Sequence, residues 1–255
     1  MVSWSDVEDS SADLPVSGRA PVGQRGKWET FWQDPTIVAE ATHLLSVDLA
    51  LRLLRVEGYP GRPLRVLDLG CGAGRVMALL DAAGCRAVGV DLATGALRVA
   101  RQDLGPGARL VQADAFHLGL ATGSFDVVLS LGYASVGSYV GVQDEIARVL
   151  RPHGVALIDF RRVSLYYLPV LPWRGRRLLA AWRRGEVALP PLGLRLTPTW
   201  AAAGLRLVAA PRFNAFPPLG DRLPPRAALA FERRIGRPLS PLLARTVLAK
   251  FRKVG

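Results

Sequence analysis

The chain has 255 residues, with 33 Lys and Arg against 21 Asp and Glu, and half of its residues are apolar. This length and apolar fraction suffice for a complete hydrophobic core, and they exclude a chain that is disordered over most of its length. The two cysteines, Cys71 and Cys85, are too few for a zinc cluster and are typical of a reducing compartment, so we predict no metal site.

The N-terminal residues predict a flexible tail followed by a helical segment. Residues 1–26 are rich in Ser, Asp, Pro and Gly, which is typical of a mobile terminus. This start is acidic and polar, whereas a signal peptide is basic and then apolar, and no apolar run approaches the length of a spanning helix. We therefore expect a cytoplasmic protein. Residues 27–58 are predicted to be helical from their apolar spacing, within a single domain over residues 27–255.

Strand and helix patterns alternate through the middle of the chain. The predicted strands span residues 64–69, 86–91, 110–113, 125–131 and 155–160, and the predicted helices span residues 76–83, 94–104 and 144–150. Repeated β-α units indicate a parallel sheet with helices on both faces, because parallel neighbours are joined by long right-handed crossovers. The predicted fold class is therefore α/β, a three-layer Rossmann-like sheet, and ligands bind such sheets at the carboxyl ends of the strands.

The pattern changes after Phe160. Residues 161–193 combine aromatic residues, Pro and Arg, which is typical of a cap-like insertion rather than of the repeating sheet. The alternation then resumes with a predicted helix at 197–203, a strand at 205–209, an amphipathic stretch near 226–235 and a last strand around 246–251.

A glycine-rich turn, in the sequence VLDLGCGAGR at 66–75, directly follows the first predicted strand. Glycine allows a positive φ and lets a ligand approach the backbone without interference from a Cβ. The spacing G-x-G-x-G differs from the dinucleotide fingerprint G-x-G-x-x-G, because position 75 is Arg, and no Gly-Lys-Ser/Thr follows as in a P-loop.

The series of motifs resembles that of the class I S-adenosylmethionine-dependent methyltransferases. VLDLGCGAG, VGVDLA around Asp91 and QADAFHL around Asp114 are similar to the first three motifs of that family. SFDVVLSLGY at 124–133 and LRPHGVALIDF at 150–160 are similar to the motifs that follow, so the resemblance covers residues 64–160 and, more weakly, 197–251. It implies a sheet of about seven strands with an antiparallel last strand. It also implies S-adenosyl-L-methionine as methyl donor, with S-adenosyl-L-homocysteine as product.

The resemblance further implies which residues hold the ribose and the adenine of the donor. Asp91 is similar to the acidic residue that accepts hydrogen bonds from both ribose hydroxyls, and Leu92 follows it. Asp114 is similar to the residue that accepts from the adenine amino group, with Ala115 and Phe116 flanking the ring. Phe116 is equally suited to the hydrophobic core.

A second group of residues corresponds to the methionine part of the donor. The resemblance implies that this part lies over the turn at Gly70, Cys71 and Gly72, where Cys71 is a small side chain within the turn. Asp68 is similar to the family's acidic residue beside the methionine amino group. Leu131, at the end of the fourth strand, faces the methyl group in the family.

Methyl transfer from a sulfonium needs a general base only when the acceptor must lose a proton. Four side chains near the predicted site could supply one, namely His117, Tyr133, Tyr139 and His153. His117 and Tyr133 are the catalytic candidates, although a surface position suits His117 better, and a turn position suits His153.

The motifs also bear on the acceptor. The fourth strand ends in Leu131-Gly132-Tyr133, without the Asn or Asp followed by Pro-Pro that is typical of methylases of base amino groups, and no Cys follows Cys85. The profile is similar to the branch that methylates small molecules or lipid-like acceptors, in which an insertion such as 161–193 and the N-terminal helix build the pocket.

Two alternatives stay open. Residues 1–150 carry 13 basic and 17 acidic side chains, whereas residues 151–255 carry 20 basic and 4 acidic ones. If this basic half is a binding surface, it favours an RNA methyltransferase. If its charge only reflects GC-rich coding, it gives no indication of the acceptor. The other alternative is a non-catalytic nucleotide-binding module of the same fold. The sequence does not indicate an oligomeric state.

Overall fold

A mixed β-sheet forms the centre of the molecule. The computed structural model describes residues 48–52, 63–131, 141–161, 197–213, 227, 230–236, 238–239 and 246–255. Within these residues the strands are β1 Arg65–Leu69, β2 Arg86–Asp91, β3 Leu110–Gln112, β4 Phe125–Ser130, β5 Leu150–Arg161, β6 Leu205–Ala209, β7 Arg212–Phe213 and β8 Thr246–Lys253.

Four α-helices accompany these strands in the described part of the chain. They are α1 Arg75–Ala82, α2 Thr94–Leu104, α3 Val142–Val149 and α4 Thr197–Ala202. Residues 48–52 are also helical, and Glu232–Gly236 form a π-helical turn. None of the described helices is long and apolar enough to cross a membrane.

The strand order is β3-β2-β1-β4-β5-β8-β6, and the short β7 pairs with β8. The pairs from β3 to β5 are all parallel, whereas β8 is antiparallel to β5 and to β6. The seven strands on this path and the antiparallel last strand confirm the predicted Rossmann-like sheet. The order reverses at β1, because β2 and β3 lie on one side of it and β4 on the other, so the predicted binding edge is the carboxyl end of β1.

Helices cover both faces of the sheet, which confirms the three layers. On one face the buried side chains of α1 and α2, including Met77, Leu80 and Leu97, pack with Val66 and Leu129 of the sheet. On the other face α3 and α4 pack against the opposite side chains of the same strands, among them Leu67, Val128, Ile146, Trp200 and Phe251. The alternation of buried residues along each strand thus divides the core between two faces.

The start of the fifth strand and the end of the third differ from the predicted bounds. β5 begins at Leu150 rather than Val155, because Leu150 already pairs with Phe125 and a register shift carries the strand through His153, whose φ is 63°. β3 ends at Gln112 rather than Ala113. The N–H of Ala113 still donates to the carbonyl of Asp91, and the chain then turns at Asp114.

Several predicted segments fall wholly or mostly outside the described residues. The predicted tail at 1–26 lies outside them, as does the insertion at 161–193 except for Arg161, the last residue of β5. Of the predicted helical segment at 27–58, residues 48–52 are described, and they are helical with Ala50 buried.

Candidate active site

The glycine turn connects β1 to α1 at the carboxyl edge of the sheet. Gly70, Gly72 and Gly74 have φ of 79°, 51° and 76°, which residues with a Cβ adopt at a cost. The N–H groups of Gly70 and Cys71 both donate to the carbonyl of Val90, at 2.8 and 3.0 Å. The turn is therefore fastened to the end of β2 by its backbone.

The carboxylate of Asp91 also holds the glycine turn, through a hydrogen bond from its backbone. Its Oδ2 accepts a hydrogen bond from the N–H of Gly72 at 2.9 Å, and its Oδ1 accepts one from the N–H of Ala93 at 2.9 Å. An ionised carboxylate offers about four lone-pair sites, so both oxygens can accept further hydrogen bonds. Asp91 is half-buried at the last position of β2, where a ligand can reach it.

Asp68 is a buried carboxyl group beneath this turn. It lies in β1, pairs in register with Gly89 of β2, and has only 1% of its surface exposed. Its Oδ2 has no hydrogen-bond partner among the described residues. Burial, and secondly the negative charge of Asp91, raise the pKa of Asp68 from 3.8 to about 7.

Cys71 contributes its backbone to the turn and its side chain to the packing. A Cβ added to Gly89 would collide with the Met77 sulfur and would lie 2.8 Å from the Cys71 sulfur, so the turn packs directly on a bare backbone in β2. Burial, then Asp91 and then Asp68, raise the pKa of the Cys71 thiol well above its usual value. Cys71 is consequently a neutral, small side chain, and not a nucleophile.

The segment after β3 presents a second buried carboxyl group. Asp114 is 3% exposed, and its Oδ1 accepts a hydrogen bond from the N–H of Phe116 at 3.1 Å. Its Oδ2 has no hydrogen-bond partner among the described residues. Ala115 is buried, whereas Phe116 is half-buried against the core beside α3, so the structure places this ring at the boundary of core and surface.

Two polar side chains within the quoted motifs hold the strand ends, a role that the motifs did not indicate. The amide nitrogen of buried Gln112 donates to the carbonyl of Leu92 at 3.1 Å and to the hydroxyl of Thr94 at 2.7 Å, which fixes the segment after Asp91. The hydroxyl of buried Ser130 donates to the carbonyl of Leu69 at 3.1 Å and ties the end of β4 to the end of β1. A polar residue at the end of an apolar strand was the only signal for either role.

The structure brings the predicted donor-binding residues together at one edge. They end or follow β1, β2, β3 and β4, which are neighbours in the sheet, and they are Asp68, Gly70, Cys71, Gly72, Asp91, Leu92, Asp114, Ala115, Phe116 and Leu131. Leu131 is buried at the end of β4. Among the described side chains, no group of three or more His, Cys, Asp or Glu could hold a metal ion.

The two histidine candidates for a general base are both exposed. His117 is exposed, and its charge acts on Glu145 of α3. His153 is exposed within β5, at the amino edge of the sheet and opposite the glycine turn, so its predicted turn position is wrong. Tyr133 and Tyr139 lie outside the described residues.

Comparisons with known proteins agree with this arrangement. Residues 66–154 match the protein-family model described as a methyltransferase domain. The chain is 32% identical over 146 residues to the demethylmenaquinone methyltransferase of Thermus thermophilus, covering 51% of this chain and 63% of that protein. It is 35% identical over 113 residues to the malonyl-[acyl-carrier protein] O-methyltransferase of Enterobacter lignolyticus, covering 43% and 44%. The chain thus spans less than two thirds of the length of these relatives.

Solved structures show the same fold over most of the chain. A TehB-like SAM-dependent methyltransferase from Corynebacterium glutamicum superposes with a TM-score of 0.51 at 20% identity, covering 90% of this chain and 97% of the other. The 1,6-didemethyltoxoflavin-N1-methyltransferase of Burkholderia thailandensis, solved with bound 1,6-didemethyltoxoflavin and S-adenosylhomocysteine, superposes with a TM-score of 0.53 at 18% identity, covering 93% and 94%.

Proposed function

We propose that the chain, whose residues 66–154 match a methyltransferase-domain family model, is a class I S-adenosylmethionine-dependent methyltransferase that transfers a methyl group from S-adenosylmethionine to a small-molecule or lipid-like acceptor. One observation carries the proposal. Two carboxyl oxygens, Asp68 Oδ2 and Asp114 Oδ2, are buried without hydrogen-bond partners among the described residues, on either side of the Asp91 position. Because an unpaired buried polar atom costs about 1–3 kcal/mol, such oxygens fit a ligand with matching donors.

The donor has hydrogen-bond donors that suit this edge of the sheet. Asp68 Oδ2 would accept from the ammonium group of its methionine part, Asp91 from the ribose hydroxyls and Asp114 Oδ2 from the adenine amino group. The backbone at Gly70 and Gly72 carries no Cβ, so it admits the methionine part at close range. When bound, the donor supplies a methyl group on a sulfonium sulfur that leaves as a neutral thioether.

The residues of the chain contribute alignment and exclusion of water. A fixed in-line geometry can supply roughly 7–11 kcal/mol of the barrier without any acid or base. Leu131 and Ser130 are buried at the end of β4, and they exclude water from that part of the carboxyl edge of the sheet. Exposed His117 does not suit the role of a base, so we propose that the chain's part in catalysis is chiefly positional.

The acceptor side follows from where the chain leaves the sheet. β5 ends at Arg161 on the same carboxyl edge, because it runs parallel to β4. The predicted cap at 161–193 therefore starts beside the donor site, and we propose that it closes the acceptor pocket together with the segment at 27–58. By their names, the relatives described above methylate demethylmenaquinone and malonyl-[acyl-carrier protein], and of these two the quinone favours an apolar acceptor.

Calorimetric titration of the purified chain with S-adenosylhomocysteine tests the donor site. Saturable binding at one site per chain is expected, and a chain that does not bind it would leave only the non-catalytic alternative. Transfer of labelled methyl from S-adenosylmethionine into fractionated cell extract tests the acceptor class, with Asp114→Ala as the control. Label in the lipid or small-molecule fraction supports the proposal, and label in RNA would replace it with the RNA methyltransferase alternative.

A further inference from the structure

The segment that carries Asp114 has little regular structure of its own. Between β3 and β4, an isolated bridge joins Asp114 to His117, and the N–H of His117 donates to the carbonyl of Asp114 at 2.9 Å. The direction of Asp114 Oδ2 therefore depends on how the backbone of this segment is held. β3 itself is three residues long and lies at the edge of the sheet, so it restrains the segment on one side only.

Helix α3 holds the segment through two charged side chains. Glu145 Oε2 accepts a hydrogen bond from the N–H of Leu118 at 2.9 Å, directly after the Asp114–His117 bridge. Arg148 donates to the carbonyl of Leu120 at 2.7 Å, and its own carbonyl accepts from the N–H of Gly123 at 3.0 Å. The two side-chain contacts bridge 27 and 28 residues of sequence, and together with the Gly123 bond they hold the segment at three successive points.

Glu145 and Arg148 also fix each other. Two parallel hydrogen bonds of 2.6 and 2.8 Å join the guanidinium to the two carboxylate oxygens, the bidentate geometry of a strong pair. Burial acts to raise the pKa of Glu145. The bonds from Arg148 and from the Leu118 N–H, with the charges of Arg148 and His117, outweigh it, so the pKa of Glu145 lies below its usual value. The Glu145–Arg148 pair is therefore ionised at neutral pH.

From this geometry we infer that Glu145, paired with Arg148, is a positioning residue that aims Asp114 Oδ2 at the amino group of adenine and so sets the selectivity for an adenosyl donor. The inference rests on the proposed function. The line of contacts runs from the helix to Leu118, through the bridge at His117, to Asp114. Loss of the Glu145 carboxylate leaves the adenine site in place but frees its acceptor to move.

The test compares two probes by calorimetry on the full chain. S-adenosylhomocysteine carries the amino group, and S-inosylhomocysteine carries a carbonyl oxygen in its place, which faces Asp114 unfavourably. Wild-type protein is expected to prefer the adenosyl probe by about 10- to 100-fold, the effect of leaving one buried acceptor unpaired. Glu145→Ala is expected to reduce that preference to less than about threefold, mainly by weakening the adenosyl probe.

Asp126→Ala is the matched control. Asp126 is also a buried carboxylate that accepts a backbone N–H, from Arg65 at 2.9 Å, and pairs with an arginine, Arg151, but it lies at the amino edge of the sheet. Both variants are expected to lower the unfolding temperature, and only Glu145→Ala to change the ratio of the two affinities. A ratio that stays as in wild type, or falls equally in both variants, overturns the inference.

A second variant keeps the test decisive if Glu145→Ala does not fold. Glu145→Gln retains an oxygen for the Leu118 N–H and loses the charge that pairs with Arg148, so an intermediate preference is expected. A preference within about twofold of wild type in this folded variant contradicts the inference. Failure of the wild-type protein to bind either probe contradicts the proposed function instead.

Discussion

The carboxylate of Asp91 accepts a hydrogen bond from the N–H of Gly72 across 2.9 Å, so the residue expected to bind the ribose also holds the glycine turn. The other oxygen of the same carboxylate fixes the N–H of Ala93 before α2. The end of β2, the glycine turn and the start of α2 therefore form one hydrogen-bonded unit around a single side chain. Substitutions of Asp91 are therefore expected to change the stability of the ligand-free protein as well as its affinity for the donor.

Asp91→Ala is expected to lower both stability and donor affinity. Two backbone N–H groups lose a charged acceptor, which costs on the order of 2–4 kcal/mol of unfolding free energy. The affinity for S-adenosylhomocysteine is expected to fall on the order of 100-fold. Denaturant unfolding and calorimetry measure the two effects on the same samples. Asp103→Ala, an exposed change on α2, is the control, and a ligand-free Asp91→Ala protein as stable as this control would contradict the role in the turn.

The raised pKa of Asp68 predicts an unusual pH dependence of stability. Its pKa is 3.8 in an unfolded chain and about 7 in the folded protein, so between these values the folded state binds a proton that the unfolded state does not. The contribution of Asp68 is therefore fully favourable below pH 3.8 and is lost as the pH rises towards 7. Its size is on the order of 4 kcal/mol.

Urea unfolding of wild type and Asp68→Asn between pH 4 and pH 8 isolates this term, because other groups titrate alike in both proteins. We expect the stability of wild type relative to the variant to decrease steadily over that interval. A constant difference between the two proteins across the interval would show that Asp68 titrates with an ordinary pKa.

The same carboxyl group predicts proton release on donor binding. Asp91 is the titratable group whose charge disfavours the ionised form of Asp68, and the neighbouring Cys71 thiol is neutral. An entering ammonium group favours that form, so binding at pH 6 is expected to release close to one proton and binding at pH 8.5 about none. Titration with S-adenosylhomocysteine in two buffers of different ionisation enthalpy counts these protons. Equal counts at both pH values in wild type, or the same pH dependence in Asp68→Asn, would assign the effect to another group.

The sequence pattern predicts the strand ends well where apolar runs stop at a turn residue. Asp91 ends β2 and Thr94 begins α2 as predicted, and both bounds depend only on local spacing. The predicted start of β5 at residue 155 was wrong. Pro152, His153 and Gly154 are typical of a turn, and the pairing of Leu150 with Phe125 is a long-range contact. A local sequence pattern carries no information about such a long-range contact.

The motifs indicate candidate residues for the site, but not the surroundings of their side chains. The resemblance marks Asp68 and Asp114, whereas the isolation of their Oδ2 atoms arises only when several strands pack around them. Glu145 and Gln112 follow no motif that marks their roles, because each acts on backbone groups that only the folded chain brings near. Residue identity fixes what a side chain can donate or accept, and packing decides which partner it finds.

Asp114→Asn is expected to reverse the preference for the base. Asp114 Oδ1 accepts the N–H of Phe116, and an asparagine keeps that bond with its own oxygen. Its amide nitrogen then stands where Oδ2 is buried without a partner in the described structure, and it presents a donor to the base. That donor repels the amino group of adenine and suits the carbonyl of the inosyl form. Calorimetry with S-adenosylhomocysteine and S-inosylhomocysteine is expected to show tighter binding of the inosyl probe, a change of about 100-fold or more in the ratio. Equal weakening of both probes would place the base away from Asp114, and the adenine contact would then have to come from another residue of the segment after β3.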